Sequence, residues 1–280
     1  MTRLRRRMIQ DMRLRDLAEA TQRAYVDAVR NLARHFDRSP DQLTEDEIRQ
    51  FFIHLTRTQG RASSTVRVHL FAIKFLFRHT LRRPLPVLDL IRLRRDSKLP
   101  AVLSRDEARQ LIAHIRRPAA RMSALIMYTC GLRVSEAVRL RIEDIDSRRM
   151  VVCVRNGKGR KDRYVPLPKR TLELLRAYWR EHRPEPCLFP NRSGSGPIRR
   201  EAVLWAIRTA AKEARLRKAV CCHTLRHSYA THLLEEGVDL RSIQGLLGHR
   251  SIRSTIPYLH LTQKAIKNVH RSIDDLMGDL

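Results

Sequence analysis

The sequence predicts a mainly α-helical protein with one small β-sheet, divided into two domains. Three observations carry that prediction. Apolar residues recur at steps of three and four through most of the 280 residues, which is the stripe of an amphipathic helix. One stretch, MVVCVRNGKGRKDRYVPL, has the β-branched residues and the glycine-bearing turn of a hairpin. Between two helical regions lies RRPLPVLDLIRLRRDSKLP, residues 82–100, whose prolines, dense arginines and weak helical period read as a domain connection.

Taken in order, Tyr25, Val29, Leu32 and Phe36 mark a helix over 21–37. Thr44 with Glu47 is a capping box ahead of a second, whose buried face is Ile48, Phe51, Phe52 and Leu55. The run from Val66 to Phe77 repeats the pattern with basic residues between the apolar ones. The expected divisions are a helical domain over 1–92, a linker over 93–98 and a second domain over 99–280. That second domain opens with another capping box, Ser104 and Glu107, and a further helix runs toward Cys130 and stops at Gly131. After the hairpin come four more helical patterns: TLELLRAYWREH, EAVLWAIRTAAKEA, HTLRHSYATHLLEEG and DLRSIQGLLGH. The Gly/Ser-rich PNRSGSGPIRR separates the first two and reads as a mobile loop.

Composition narrows the function classes. A hydrophobic content of 42% supports a buried core, and a formal charge of +28 points to a polyanionic partner, nucleic acid first, because Lys/Arg contacts to phosphates release counterions. No run approaches the roughly 18 apolar residues of a membrane span. The start, MTRLRRRMIQDMRLRDL, lacks the apolar centre of a secretory signal, and Asp11 and Asp16 argue against a transit peptide. Five cysteines without a CxxC pair indicate neither a disulfide framework nor a ribbon-type zinc site, so they read as reduced thiols of a cytoplasmic protein.

Several positions carry candidate chemistry. In TCGLRVSEAVRL, Arg133 follows a glycine at a helix boundary with Glu136 one turn on, so the carboxylate can fix an arginine fork offered to a phosphate; a plain surface ion pair has the same spacing. Lys158 sits between two glycines at the hairpin tip, where it can enter a DNA groove and protonate a leaving oxygen, or simply touch backbone phosphates. In CCHTLRHSYATHLL, His223 and Arg226 share a helix face and can meet one small anion. His227 lies a turn after His223, but HTLRH lacks the glutamate of HExxH and the adjacent Cys221 and Cys222 are not at ligand spacing, so no metal site is expected; packing is the reading kept for His227 and His232. His249 follows a glycine at a helix end, and Tyr258 comes nine residues later.

This succession of GLRVSE, GKGRKDRYVPLP, HTLRHSYATHLL, LLGH and a terminal tyrosine resembles the tyrosine recombinase (phage integrase) family, and the resemblance covers nearly the whole chain. It implies a SAM-like core-binding domain and a catalytic domain closing as a C-clamp on double-stranded DNA. It further implies a homotetramer on paired sites and exchange through a Holliday junction. Tyr258 would attack the scissile phosphate and leave a 3′-phosphotyrosyl bond; Arg133 and Arg226 would clamp the non-bridging oxygens. His223 would take or share the tyrosine proton, His249 would donate to the phosphate, Lys158 would protonate the 5′-oxygen, and Glu136 would orient the site. No cofactor or metal is called for, since the cations are built in. The helix-prone tail over 262–280 would dock on a neighbouring subunit or fold back on its own. A type IB topoisomerase-like relaxase, a DNA-binding protein without catalysis and, last, a zinc hydrolase are the alternatives. Pro257, by removing an N–H and biasing Ile256 toward extended backbone, is expected to tune how Tyr258 is presented.

Overall fold

The computed structural model describes residues 1–93, 100–155, 162–248, 251, 255, 256 and 258. The chain divides into two compact units, Met1–Lys98 and Leu99–Leu280.

The first unit is helical. Its opening helix, α1 (Arg3–Leu14), is capped by the Thr2 hydroxyl accepting from the Arg5 N–H at 3.3 Å, and it buries Met8 and Met12. The arginines crowded between its apolar positions hide this stripe in the sequence. Next come α2 (Glu19–Phe36), α3 (Glu45–Ile53) and α4 (Ser63–Phe75). The Thr44/Glu47 capping box forms as expected at α3. Both α3 and α4 continue into a π-helical turn, His54–Thr58 and Leu76–Thr80 respectively. The core is built from Leu32, Ile48, Phe51, Val66, Ile73, Leu76 and Phe77. Within the stretch read as a connection, Val87–Leu90 forms a short helix, α5, because Val87 and Leu88 find places in that core. Its three prolines had masked the helical turn.

The second unit wraps helices around a small sheet. α6 (Arg105–His114) starts at the Ser104/Glu107 capping box, and α7 (Pro118–Thr129) ends at Cys130, with Gly131 in the left-handed region at φ +63°. A single turn, α8 (Val134–Ala137), follows. The strands β1 (Ile145–Asp146), β2 (Val151–Val154) and β3 (Arg163–Pro166) form an antiparallel sheet in chain order. In register, Val152 opposes Val165, and both are fully buried. β1 went unread in the sequence, since two residues carry no period. The remaining helices are α9 (Lys169–His182), α10 (Arg200–Glu213), α11 (Cys222–Glu235) and α12 (Leu240–Leu247). Ile126, Leu132, Val152, Val165, Phe189, Ile207 and Leu225 make the core that fixes α11 against α7 and the sheet. Burial of each such side chain contributes about 1.5–3 kcal/mol. Among the described residues no helix is long and apolar enough to cross a membrane.

Candidate active site

The site grows from one buried carboxylate. Glu136, on α8, is 9% exposed. It accepts from the Arg133 backbone N–H at 2.8 Å and from Arg133 Nη1 at 2.8 Å. From β3, Arg163 meets it with a two-pronged fork, Nη1 to Oε1 at 3.0 Å and Nη2 to Oε2 at 2.8 Å. Arg226 of α11 stands 3.7 Å away. Burial raises the Glu136 pKa, but the hydrogen bonds from Arg163 and Arg133 outweigh it and bring the group down to about 2. Three guanidiniums around one carboxylate leave the group with surplus positive charge, which suits a phosphate.

The same arginines close the end of α12. Arg163 Nε donates to Leu246 O at 3.1 Å, Arg226 Nη2 to Leu247 O at 2.5 Å, and Arg133 Nη2 to Gly248 O at 3.4 Å. Three consecutive carbonyls at a helix C-terminus, the negative end of its dipole, are thereby satisfied by three cations from three elements. Arg226 Nη1 also donates to Gly131 O at 2.6 Å, tying the α7 turn to α11 and α12. Burial and the neighbouring Arg133 lower the Arg226 pKa to about 10, which leaves it charged at neutral pH.

Tyr258 is 2% exposed and packs on Ala230, Ile243 and Leu247. Its hydroxyl lies 3.0 Å from Nδ1 of His227. Burial pushes the Tyr258 phenol up, opposed by Arg226 and Arg133. Burial, then His223 and Arg226, lower His227 to about 4, so its imidazole is neutral at neutral pH. The backbone N–H of Tyr258 bonds to Thr255 O at 3.1 Å, placing Ile256 and Tyr258 in a 3₁₀ turn. The expected extended Ile256 does not occur: the Tyr258 N–H closes a turn around it. His223 is exposed, and its ring lies 6.3 Å from that of His227, centroid to centroid. Hydrogen bonding to His223 pulls the Cys221 thiol down to about 6 against its burial.

Of the residues read from sequence, Arg133, Glu136, Arg226 and Tyr258 converge here, with His223 on the same helix; Lys158, His249, Pro257 and the tail over 262–280 lie outside the described residues. His232 is a packing residue, bonded to the Tyr128 hydroxyl at 2.9 Å and Leu103 O at 3.0 Å. Two members of the site were missed. Arg163 shares the inward face of β3 with buried Val165, and a charge in register with a buried face was the available signal. His227 was weighed only as a metal ligand or as packing.

Known proteins share this chain's pattern. The family model described as "Phage integrase family" matches residues 101–265, and "Phage integrase, N-terminal SAM-like domain" matches 4–87. The protein y4qK of Sinorhizobium fredii is 42% identical over 95% of this chain and 87% of its own. Tyrosine recombinase XerD of Oceanobacillus iheyensis is 32% identical over 92% of this chain and 93% of its own. Among solved structures, XerA recombinase superposes with TM-score 0.56 at 27% identity, covering 96% of this chain and 97% of that one. XerH bound to its difH substrate before cleavage superposes with TM-score 0.63 at 25% identity, covering 79% and 68%.

Proposed function

The chain belongs to the phage integrase family and is a tyrosine-type site-specific recombinase, and on that premise we propose that it cuts and rejoins DNA strands through Tyr258. The observation that carries this reading is the meeting of Tyr258 with His227 beside the Arg133–Glu136–Arg163–Arg226 cluster. A phenol with a pKa of about 10 is a poor nucleophile at neutral pH and needs both a base and a positive cradle. Arg133 and Arg226 would hold the non-bridging oxygens, where charge grows in the transition state. Glu136 would keep both forks aimed. His223 would take or share the phenol proton, His249 would donate to the phosphate, and Lys158 would hand a proton to the departing 5′-oxygen. Attack forms the 3′-phosphotyrosyl bond and breaks the bond to the 5′-oxygen. Return of a 5′-hydroxyl from the second duplex reverses both changes, so no nucleotide is consumed. The working unit would be a homotetramer on two sites, exchanging strands through a Holliday junction.

The test uses duplexes selected from a random pool by binding to this protein, then nicked at successive positions so that a cleaved fragment diffuses away. Wild type mixed with these in EDTA should give a covalent protein–DNA band on a denaturing gel, and Tyr258→Phe should give none. Binding without any band from wild type would reduce the protein to a DNA-binding module.

A further inference from the structure

We propose that Arg163 is a positioning residue for strand cleavage: it occupies Glu136 so that the carboxylate does not pair with Arg226, whose charge is thereby kept for the scissile phosphate. The role rests on the cleavage reading above and specifies how its phosphate clamp is held open.

An ionised carboxylate offers about four lone-pair sites, two on each oxygen. At Glu136 each oxygen has both of its sites filled. Oε1 accepts from Arg163 Nη1 at 3.0 Å and from Arg133 Nη1 at 2.8 Å, while Oε2 accepts from Arg163 Nη2 at 2.8 Å and from the Arg133 backbone N–H at 2.8 Å. Arg226 is left outside, its Nη1 3.7 Å from Oε2 and too far for a hydrogen bond. It donates instead to Gly131 O at 2.6 Å and Leu247 O at 2.5 Å, and neutral carbonyls do not cancel its charge. With the side chain 4% exposed, little water screens that charge either. Arg163 is poorly placed to hold the phosphate itself, because its Nε, Nη1 and Nη2 already donate to Leu246 O and the two Glu136 oxygens.

Without the Arg163 fork, one site opens on each Glu136 oxygen. Glu136, held at about 2, stays ionised at neutral pH, and among the described residues Arg226 is the cation within ion-pairing reach that does not yet bond it. Arg226 then turns to a carboxylate in place of a phosphate. Formal charge agrees: three arginines and one glutamate leave the cluster at +2, losing Arg163 takes it to +1, and neutralising Glu136 as well brings back +2.

The full-length chain tests this with the nicked duplex under single-turnover conditions. Arg163→Met should form covalent adduct about 10²-fold more slowly than wild type, the scale of losing one donor to transition-state charge. Adding Glu136→Gln should regain about tenfold or more, because an uncharged carboxamide draws Arg226 far less. A purely structural tie between β3 and α8 predicts no gain, since the fork is absent from both variants. A second readout removes the charge that Arg226 is kept for. With a methylphosphonate at the scissile linkage, one non-bridging oxygen replaced by methyl, the Arg163→Met deficit should shrink to a few-fold, whereas a structural lesion slows both duplexes alike. Circular dichroism of the variants should match wild type; if Arg163→Met does not fold, Arg163→Lys, which keeps the charge but has no fork, takes its place in both comparisons. Adduct formation within a few-fold of wild type on the phosphodiester would overturn the proposal. So would a deficit that Glu136→Gln leaves unchanged, or one equally large on the methylphosphonate. No adduct from wild type is a different result and sinks the cleavage reading, and this role with it.

Discussion

Arg163 and Glu136 form a two-pronged ion pair that joins the second strand of the hairpin to the α8 turn, with N···O distances of 3.0 and 2.8 Å. The pair is nearly closed to solvent, the two side chains being 13% and 7% exposed. Such a pair gains little over a hydrophobic replacement, yet losing one partner strands the other charge at a cost of about 3–5 kcal/mol. Here the stranded charges would be three guanidiniums. Glu136→Ala is therefore expected to lower the melting temperature by roughly 6–20 °C, given about 2–4 °C per kcal/mol for a domain of this size. Thermal unfolding followed by circular dichroism measures it. A shift under a few degrees would mean that bulk anions take the place of the carboxylate.

Acid should weaken the second unit in two steps. For both Glu136 and His227 the folded pKa is depressed, so each contributes stability that is complete above its unfolded value and is lost as pH falls through the folded one. His227 acts from about 6.5 down to about 4, because the unfolded chain takes up a proton that the buried ring refuses. Glu136 acts from 4.5 down to about 2, as the ion pairs with Arg163 and Arg133 are titrated away. Urea midpoints measured from pH 7 to 3 should fall across both windows. The slope between pH 6.5 and 4 should flatten in His227→Asn and that below 4.5 in Glu136→Gln.

The sequence disclosed those parts of the fold that rest on local rules. Capping boxes at Thr44 and Ser104 follow from side chains reaching backbone groups three residues away, and the helix stop at Gly131 from glycine's ease in the left-handed region, so both were legible. Arg133, Arg226 and Tyr258 were legible because their spacing along the chain matches a known succession. Hidden were features created by long-range contact: Arg163 gains its meaning only from Glu136, 27 residues upstream, and His227 only from Tyr258, 31 residues downstream. The helix α1 was hidden for a different reason, since its arginines dilute a stripe of only a few apolar residues.

Two glycines beside the site should tolerate alanine unequally. At Gly131, φ is +63° and an added Cβ would lie 2.4 Å from the Tyr229 ring, itself packed against the cluster of Ala230, Ile243, Leu247 and Tyr258. At Gly248, φ is +61° and the Cβ would stand 3.2 Å from the Arg163 side chain, which has some freedom to yield. Left-handed backbone alone costs a non-glycine residue about 1–2 kcal/mol. Gly248→Ala should lose about that much, and Gly131→Ala clearly more, because a ring edge cannot move without opening α7 from α11. Urea denaturation of both variants gives the order. Equal losses would show that backbone strain, and not the Tyr229 contact, sets the cost.

Replacing the bridging 5′-oxygen of the scissile phosphate by sulfur should separate the roles assigned to Lys158 and Arg226. A thiol, with a pKa of about 8.5, leaves without needing the proton that an alkoxide requires. If Lys158 supplies that proton, Lys158→Ala should lose about 10²-fold or more in adduct formation on the oxygen substrate and recover most of it on the sulfur one. Arg226 acts on charge at the non-bridging oxygens and not on the leaving group, so Arg226→Ala should stay slow on both. Single-turnover gels with the two nicked duplexes give both ratios. Recovery of Arg226→Ala by sulfur, or persistence of the Lys158→Ala defect, would reverse the assignment, since sulfur changes only the demand for a proton on the departing atom.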